Sequence, residues 1–198
     1  MSLQPDAPAS APLRAQAQDQ LQRYLSRFPD EAPGLAALRR QLAEPGDAFA
    51  RQNMVGHITT SALVWDAASD ALLMIHHQAL DRWLQPGGHH EGQDGLLASA
   101  AREAREETGV GALTPWPWAG AAELPLDIDT HAIPARPAKG ESAHVHHDFI
   151  YLFSASADTP LAPQWAEVKG ARWMPRAEFA ALPEARFARL AGKLQGLR

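Results

Sequence analysis

The sequence predicts an α/β fold, a mixed β-sheet held between helical layers, and three features carry that expectation. Two apolar, β-rich runs at 57–65 and 71–77 are separated by a short polar turn. One long helical stretch follows at 94–108, bounded by glycine. A further β-rich run at 143–155 is apolar on both faces towards its end, which marks a strand central in its sheet. Strands interleaved with a central helix and then followed by more helices give a sheet covered on both sides.

In chain order, residues 1–12 are rich in Pro, Ala and Ser and are expected to form a mobile tail. Residues 13–28 carry Leu13, Ala17, Leu21, Tyr24, Leu25 and Phe28 at helical spacing, stopped by Pro29. Residues 34–44 repeat the theme with Leu35, Leu38 and Leu42, stopped by Pro45 and Gly46. This hairpin is too short for a core of its own, so 1–52 is expected to be an extension of one domain at 53–198. It either packs on that domain or serves a homodimer. After the strand pair, 83–86 is a short extended piece feeding a glycine turn, and the helix runs from about Asp94, which can cap it. A strand is expected at 116–123, although Pro115 and Pro117 stand at its start. The segment 127–142, DIDTHAIPARPAKGES, reads as a long Pro-rich loop. The last elements are a strand at 169–174 and closing helices at 176–182 and 184–194, with Pro175 and Pro183 near their starts.

Composition narrows the function. The 198 residues carry a formal net charge of −5 and no block of Lys or Arg, which argues against broad nucleic-acid binding. There is no cysteine, so disulfides, thiolate metal sites and cysteine nucleophiles are excluded. The first residues lack an apolar signal region and no run approaches membrane-spanning length, so a cytoplasmic location without membrane partners is expected.

The chemistry concentrates in 88–110, GHHEGQDGLLASAAREAREETGV. At about 100° per residue, Glu106 and Glu107 lie roughly 60° behind and 40° ahead of Glu103, so three carboxylates share one helical stripe. Such crowding is repulsive unless a divalent cation is held there; the alternative is a solvated acidic face. Gly87 and Gly88 lie just before the helix, where bare backbone can approach a phosphate or a metal, and Gly109 sits where a helix stops.

These residues resemble the Nudix box, G-x5-E-x7-R-E-U-x-E-E-x-G-U with U aliphatic. Gly88, Arg102, Glu103, Ala104, Glu106, Glu107, Gly109 and Val110 fall in register, and Asp94 stands where the family usually has Glu. The resemblance implies a Nudix-type α/β/α sandwich over about 53–185. It also implies a hydrolase that cleaves the diphosphate linkage of a nucleoside diphosphate derivative with Mg²⁺ or Mn²⁺. Glu103, Glu106 and Glu107 then match the metal-binding glutamates, one of which serves as general base in several members. Gly87 matches a backbone carbonyl offered to the metal, and Arg102 an arginine that orients the glutamates. Asp94 and Glu91 are expected behind the ligands. Glu167, in the loop before the strand at 169–174, is the candidate for a further ligand or base, against an ordinary loop acid.

Nine histidines stand out. His89 and His90 lie in the box loop; His144 and His146 share one strand face with Asp148, and His147 takes the other. A strand-borne H-x-H is a transition-metal site in some proteins and polar lining in most, so His89, His90, His131, His144 and His146 are candidate substrate contacts. Three rival functions are weighed. Isomerases of the same fold use a catalytic cysteine, which is missing here. Nudix-related regulators carry a DNA-binding winged helix after the domain, and only 25 residues follow Trp173. A catalytically inactive nucleotide-sensing or interaction module is the remaining alternative. The identity of the substrate is not readable.

Overall fold

A computed structural model describes residues 10–91, 94–137 and 140–197. Helices α1 (Ser10–Arg27) and α2 (Ala36–Ala43) form the N-terminal hairpin. Then come β1 (Gly56–Asp66), β2 (Ala71–His77), β3 (Arg82–Leu84), β4 (Gly87–His89) and α3 (Leu96–Thr108). The chain closes with β5 (Thr114–Pro115), β6 (Asp127–Ile133), β7 (His144–Ser154), β8 (Val168–Pro175), α4 (Arg176–Ala180) and α5 (Ala185–Gln195).

The described strands make one mixed sheet. β1 and β7 run parallel at its centre, in register from Gly56↔Val145 to Trp65↔Ser154. β1 and β2 share only Trp65↔Leu72 and Asp66↔Ala71 before they part. Beyond that point β1 takes β4 as its neighbour and β2 takes β3, so the sheet forks. β8 pairs with the other edge of β2, and β5 and β6 pair antiparallel with β7.

Side chains alternate across this sheet as a period of two requires. Ala62, Val64, Phe149, Tyr151 and Phe153 face a core shared with Leu21, Tyr24, Leu38, Ala100 and Ala104 of α1, α2 and α3. Leu63, Trp65, Ile150 and Leu152 face a second core with Phe179, Phe187 and Leu190 of α4 and α5. Full burial of each such large side chain contributes about 1.5–3 kcal/mol, which is why β7 reads as continuously apolar. The hairpin is bound by polar contacts as well. Gln20 of α1 accepts from the Tyr151 hydroxyl at 2.6 Å, and Gln41 of α2 accepts from His147 Nε2 at 3.1 Å.

Several expectations are corrected. The loop expected at 127–142 begins as strand β6, in register from Asp127↔Ile150 to Ile133↔His144. Asp127 is fully buried there, because Arg189 and Lys193 of α5 reach it at 2.7 and 2.6 Å and Tyr24 donates at 3.1 Å. The strand expected at 116–123 is not one. After Pro115 only the Trp116 N–H still reaches β7, on the Leu152 carbonyl at 2.9 Å, since Pro117 has no N–H to donate and Gly120 turns the chain at φ 76°. Trp118 instead fills the second core and donates to the Leu124 carbonyl at 2.9 Å. Asp94 does not cap α3: Gly95 holds the cap position, and Gln16 of α1 accepts from the Leu96 N–H at 3.2 Å. Helix α1 starts at Ser10, inside the expected tail; residues 1–9 of that tail lie outside the described residues.

Candidate active site

The glycine turn and α3 are built as one unit. Gly87 packs so tightly on β1 that an added Cβ would lie 2.7 Å from the Thr60 carbonyl oxygen and 2.8 Å from Ser61 Cα. At Gly88 the same carbon would lie 2.7 Å from the Glu103 carboxylate. The turn therefore lies directly over the carboxylates of α3. Gly109 ends the helix in the left-handed region at φ 67°, with its N–H on the Arg105 carbonyl at 2.8 Å.

Arg102 bridges the stripe, donating to Glu103 and to Glu106 at 2.7 Å each and to the His89 carbonyl at 3.3 Å. Glu107 is buried on the opposite flank and accepts from the Gly87 N–H at 2.9 Å. Burial pushes the Glu107 carboxyl up to about 8, with Glu103 and Glu167 adding negative charge, while the Gly87 N–H pulls the other way. Burial also raises Glu103, although Arg102 offsets part of the effect. The site thus gathers more negative charge than its one bridging arginine balances.

Glu103 and Glu107 open onto a cavity of about 520 Å³ in the fork of the sheet. Gly87, Gly88, Glu91, Glu167, His89, His131 and His146 line it too. The remaining named residues lie off its lining. Glu106 is half-exposed beside Arg102; His90 bonds the Asp94 carbonyl at 2.6 Å and packs on Phe49; His144 lines a smaller adjoining cavity. His131 is tied to Asp129 at 2.9 Å.

Sequence reasoning missed most of the cavity wall. Arg51, Arg82, Arg136 and Arg186 line it, each from a different element or loop, and no local pattern connects them. Arg82 and Arg51 are paired with Glu184 and Glu141 at 2.8 and 3.2 Å, whereas Arg186 Nε is buried without a hydrogen-bond partner among the described residues. Asp148 was placed on its face but given no role. It is buried in the same wall, accepts from Thr59 at 3.1 Å and Ser61 at 2.7 Å, and is pushed upward by burial.

The same face holds a cluster of imidazoles. His57 Nε2 lies 3.0 Å from His89 Nε2, and His144 Nε2 lies 3.3 Å from His146 Nε2. Burial and the charges of neighbouring rings depress three of them: His57 is lowered, His89 to about 4 and His146 to about 2. Only His57 lacked any sequence cue: it stands alone in its strand and meets the others through the sheet.

Comparison with known proteins adds to this geometry. The family model for the NUDIX domain matches residues 55–192. A probable DHNTP pyrophosphohydrolase from Lactococcus lactis subsp. cremoris is 35% identical over 95 residues, 48% of this chain and 52% of that protein. The match therefore spans about half the length of that relative. Among solved structures, a C. elegans Ap4A hydrolase binary complex superposes with a TM-score of 0.52 at 14% identity, covering 70% of this chain and 95% of that one. The E. coli dihydroneopterin triphosphate pyrophosphohydrolase gives 0.51 at 15% identity, covering 71% and 94%. At these identities the two structures share the fold with this chain.

Proposed function

The chain belongs to the Nudix domain family, and from that premise we propose that it is a divalent-cation-dependent pyrophosphohydrolase. In this reading water attacks one phosphorus of a nucleoside diphosphate derivative or related organic pyrophosphate, and the P–O–P bridge breaks. The observation that carries the reading is the pair of carboxylates, half-buried Glu103 and buried Glu107, on the wall of a cavity that four arginines also line.

The residues fit a hard cation. The donors of the stripe are all oxygens, two of the carboxylates are raised by burial, and the turn above them has no side chain to fill the space. Glu103, Glu106, Glu107 and the Gly87 carbonyl would hold Mg²⁺ or Mn²⁺. When bound, the cation supplies charge neutralisation at the phosphate oxygens and lowers the pKa of a bound water.

The chain's own groups do the rest. Arg102 fixes Glu103 and Glu106, and the Gly87 N–H fixes Glu107, so the carboxylates are set before substrate arrives. Arg51, Arg82, Arg136 and Arg186 bind the phosphate oxygens that the carboxylates would otherwise repel. Glu167, exposed at the cavity edge, takes the proton of the attacking water. Asp94 and Glu91 support the turn, and His89, His131 and His146 face the substrate from the strand side, with His90 and His144 behind them.

The test is hydrolysis of a panel containing dihydroneopterin triphosphate, diadenosine tetraphosphate, ADP-ribose and nucleotide sugars, with Mg²⁺ or Mn²⁺ and then with EDTA. The relative's name puts the pterin triphosphate first. Cleavage of one compound should vanish with EDTA and fall about 10²–10⁴-fold in Glu107→Gln. Binding of nucleotide and Mg²⁺ with no turnover across the panel would refute the hydrolase reading in favour of a sensing module.

A further inference from the structure

We propose that His57, His89 and His146, with His144 as a fourth donor, form a transition-metal site separate from the carboxylate stripe and selective for Zn²⁺ over Mg²⁺. Each of the three offers a ring nitrogen, and these nitrogens lie within 4.8 Å of one another. They come from β1, β4 and β7, strands that the sheet register makes adjacent: His57 is opposite His146, and Thr59 opposite His89. The inference does not depend on the hydrolase reading.

The hydrogen bonds show which nitrogen each ring presents. His57 Nδ1 lies 3.2 Å from the Asn53 carbonyl oxygen, and His144 Nδ1 lies 2.8 Å from that of Ser142. A carbonyl oxygen only accepts, so both Nδ1 atoms carry the proton and both Nε2 atoms keep a lone pair. This is the outer contact that orients a metal-ligating histidine. Those lone pairs face the Nε2 atoms of His89 and His146 at 3.0 and 3.3 Å. Zn–N bonds of about 2.0–2.1 Å at tetrahedral angles separate neighbouring nitrogens by roughly 3.3 Å, so each of these two pairs already has the spacing of neighbouring ligands, and the three nitrogens within 4.8 Å need only small side-chain rotations to close on one ion.

The donor chemistry selects the metal. The set is imidazole without sulfur, which suits Zn²⁺, Ni²⁺ or Cu²⁺ and is a poor match to Mg²⁺. Glu141 lines the small cavity beside the cluster, but it is paired with Arg51 at 3.2 Å. A metal here would clip β4 to β1 and β7, and so fix the His89 backbone whose carbonyl Arg102 holds.

The test uses the full chain stripped with EDTA and dialysed. Zn²⁺ is titrated by calorimetry against a large excess of Mg²⁺, and Co²⁺ by visible absorption. One equivalent of Zn²⁺ should bind despite the Mg²⁺, and Co²⁺ should give tetrahedral d–d bands. His57→Asn and His146→Gln should each weaken Zn²⁺ binding by more than about 100-fold. Glu103→Gln should leave the Co²⁺ spectrum unchanged. X-ray absorption on the Zn²⁺-loaded wild type reads the donors without any variant, and should show three or four imidazoles. An oxygen-only shell, Zn²⁺ displaced by Mg²⁺, or a Co²⁺ spectrum lost in Glu103→Gln and kept in the histidine variants would each overturn the site.

Discussion

Replacing Gly88 with alanine would place a methyl carbon 2.7 Å from Cδ and Oε2 of Glu103 and 2.8 Å from Oε1. Carbon needs about 3.5 Å for an unstrained contact, so the carboxylate must retreat by roughly 0.7–0.8 Å. Arg102 holds that carboxylate at 2.7 Å and must move with it. The displaced atom is the end of a side chain, so the fold should lose no more than about 1 kcal/mol, a melting shift of about 2–4 °C. Catalysis is less tolerant: a misplacement near 1 Å can cost about 10²-fold, so kcat should fall about 10–100-fold at saturating Mg²⁺. Gly87→Ala is the control. Its methyl meets the Ser61 hydroxyl and lies 2.7 Å from the Thr60 carbonyl oxygen, which is strand backbone. That overpacking should cost about 1–3 kcal/mol and show first as lost stability. Steady-state hydrolysis and differential scanning fluorimetry on both variants separate the effects. A Gly88→Ala enzyme within twofold of wild-type kcat, or one that loses as much melting temperature as Gly87→Ala, would refute the positioning of Glu103 by the turn.

Other outcomes follow from the same contacts. Asp127→Asn removes the buried charge shared by Arg189 and Lys193 but leaves them Asp129 and Glu31, so it should lower unfolding free energy by about 1.5–3 kcal/mol in urea; a loss below about 0.5 kcal/mol would contradict the buried ion cluster. His147 is buried and its pKa is lowered to about 4 by burial and by the charges of His131 and His57. The unfolded chain therefore binds its proton first as pH falls, so stability should drop from about pH 6.5 down to about 4, by roughly 3 kcal/mol in all. His147→Gln should flatten that part of the urea-derived profile. At Asp129 burial alone would raise the pKa, but His131 and Arg189 outweigh it and hold the group at about 2. Its contribution is present above about pH 4 and is lost as pH falls towards 2, so Asp129→Asn should lose this acid limb. Arg186→Met should raise KM about 10–100-fold with little change in kcat if its unpartnered Nε meets substrate phosphate; unchanged KM would remove it from the binding set.

The sequence by itself determined the parts that local geometry governs. An α-helix makes residues three and four apart neighbours, so Glu103, Glu106, Glu107 and the glycine stop could be read directly from their spacing. Short apolar, β-rich runs likewise gave β1, β2 and β7, because a strand covered on both faces must be apolar at nearly every position. Tertiary structure decided the rest. Asp127 and Asp129 look like loop residues until Arg189 and Lys193, about 60 residues later, neutralise them and let β6 join the sheet. The cap of α3 comes from Gln16, 80 residues earlier, and not from Asp94 beside it. The four cavity arginines and the meeting of His57 with His89 and His146 depend on strand register, where a slip of one residue turns every side chain to the other face. Contacts of that kind are fixed by the packing of whole elements, so no short window of sequence contains them.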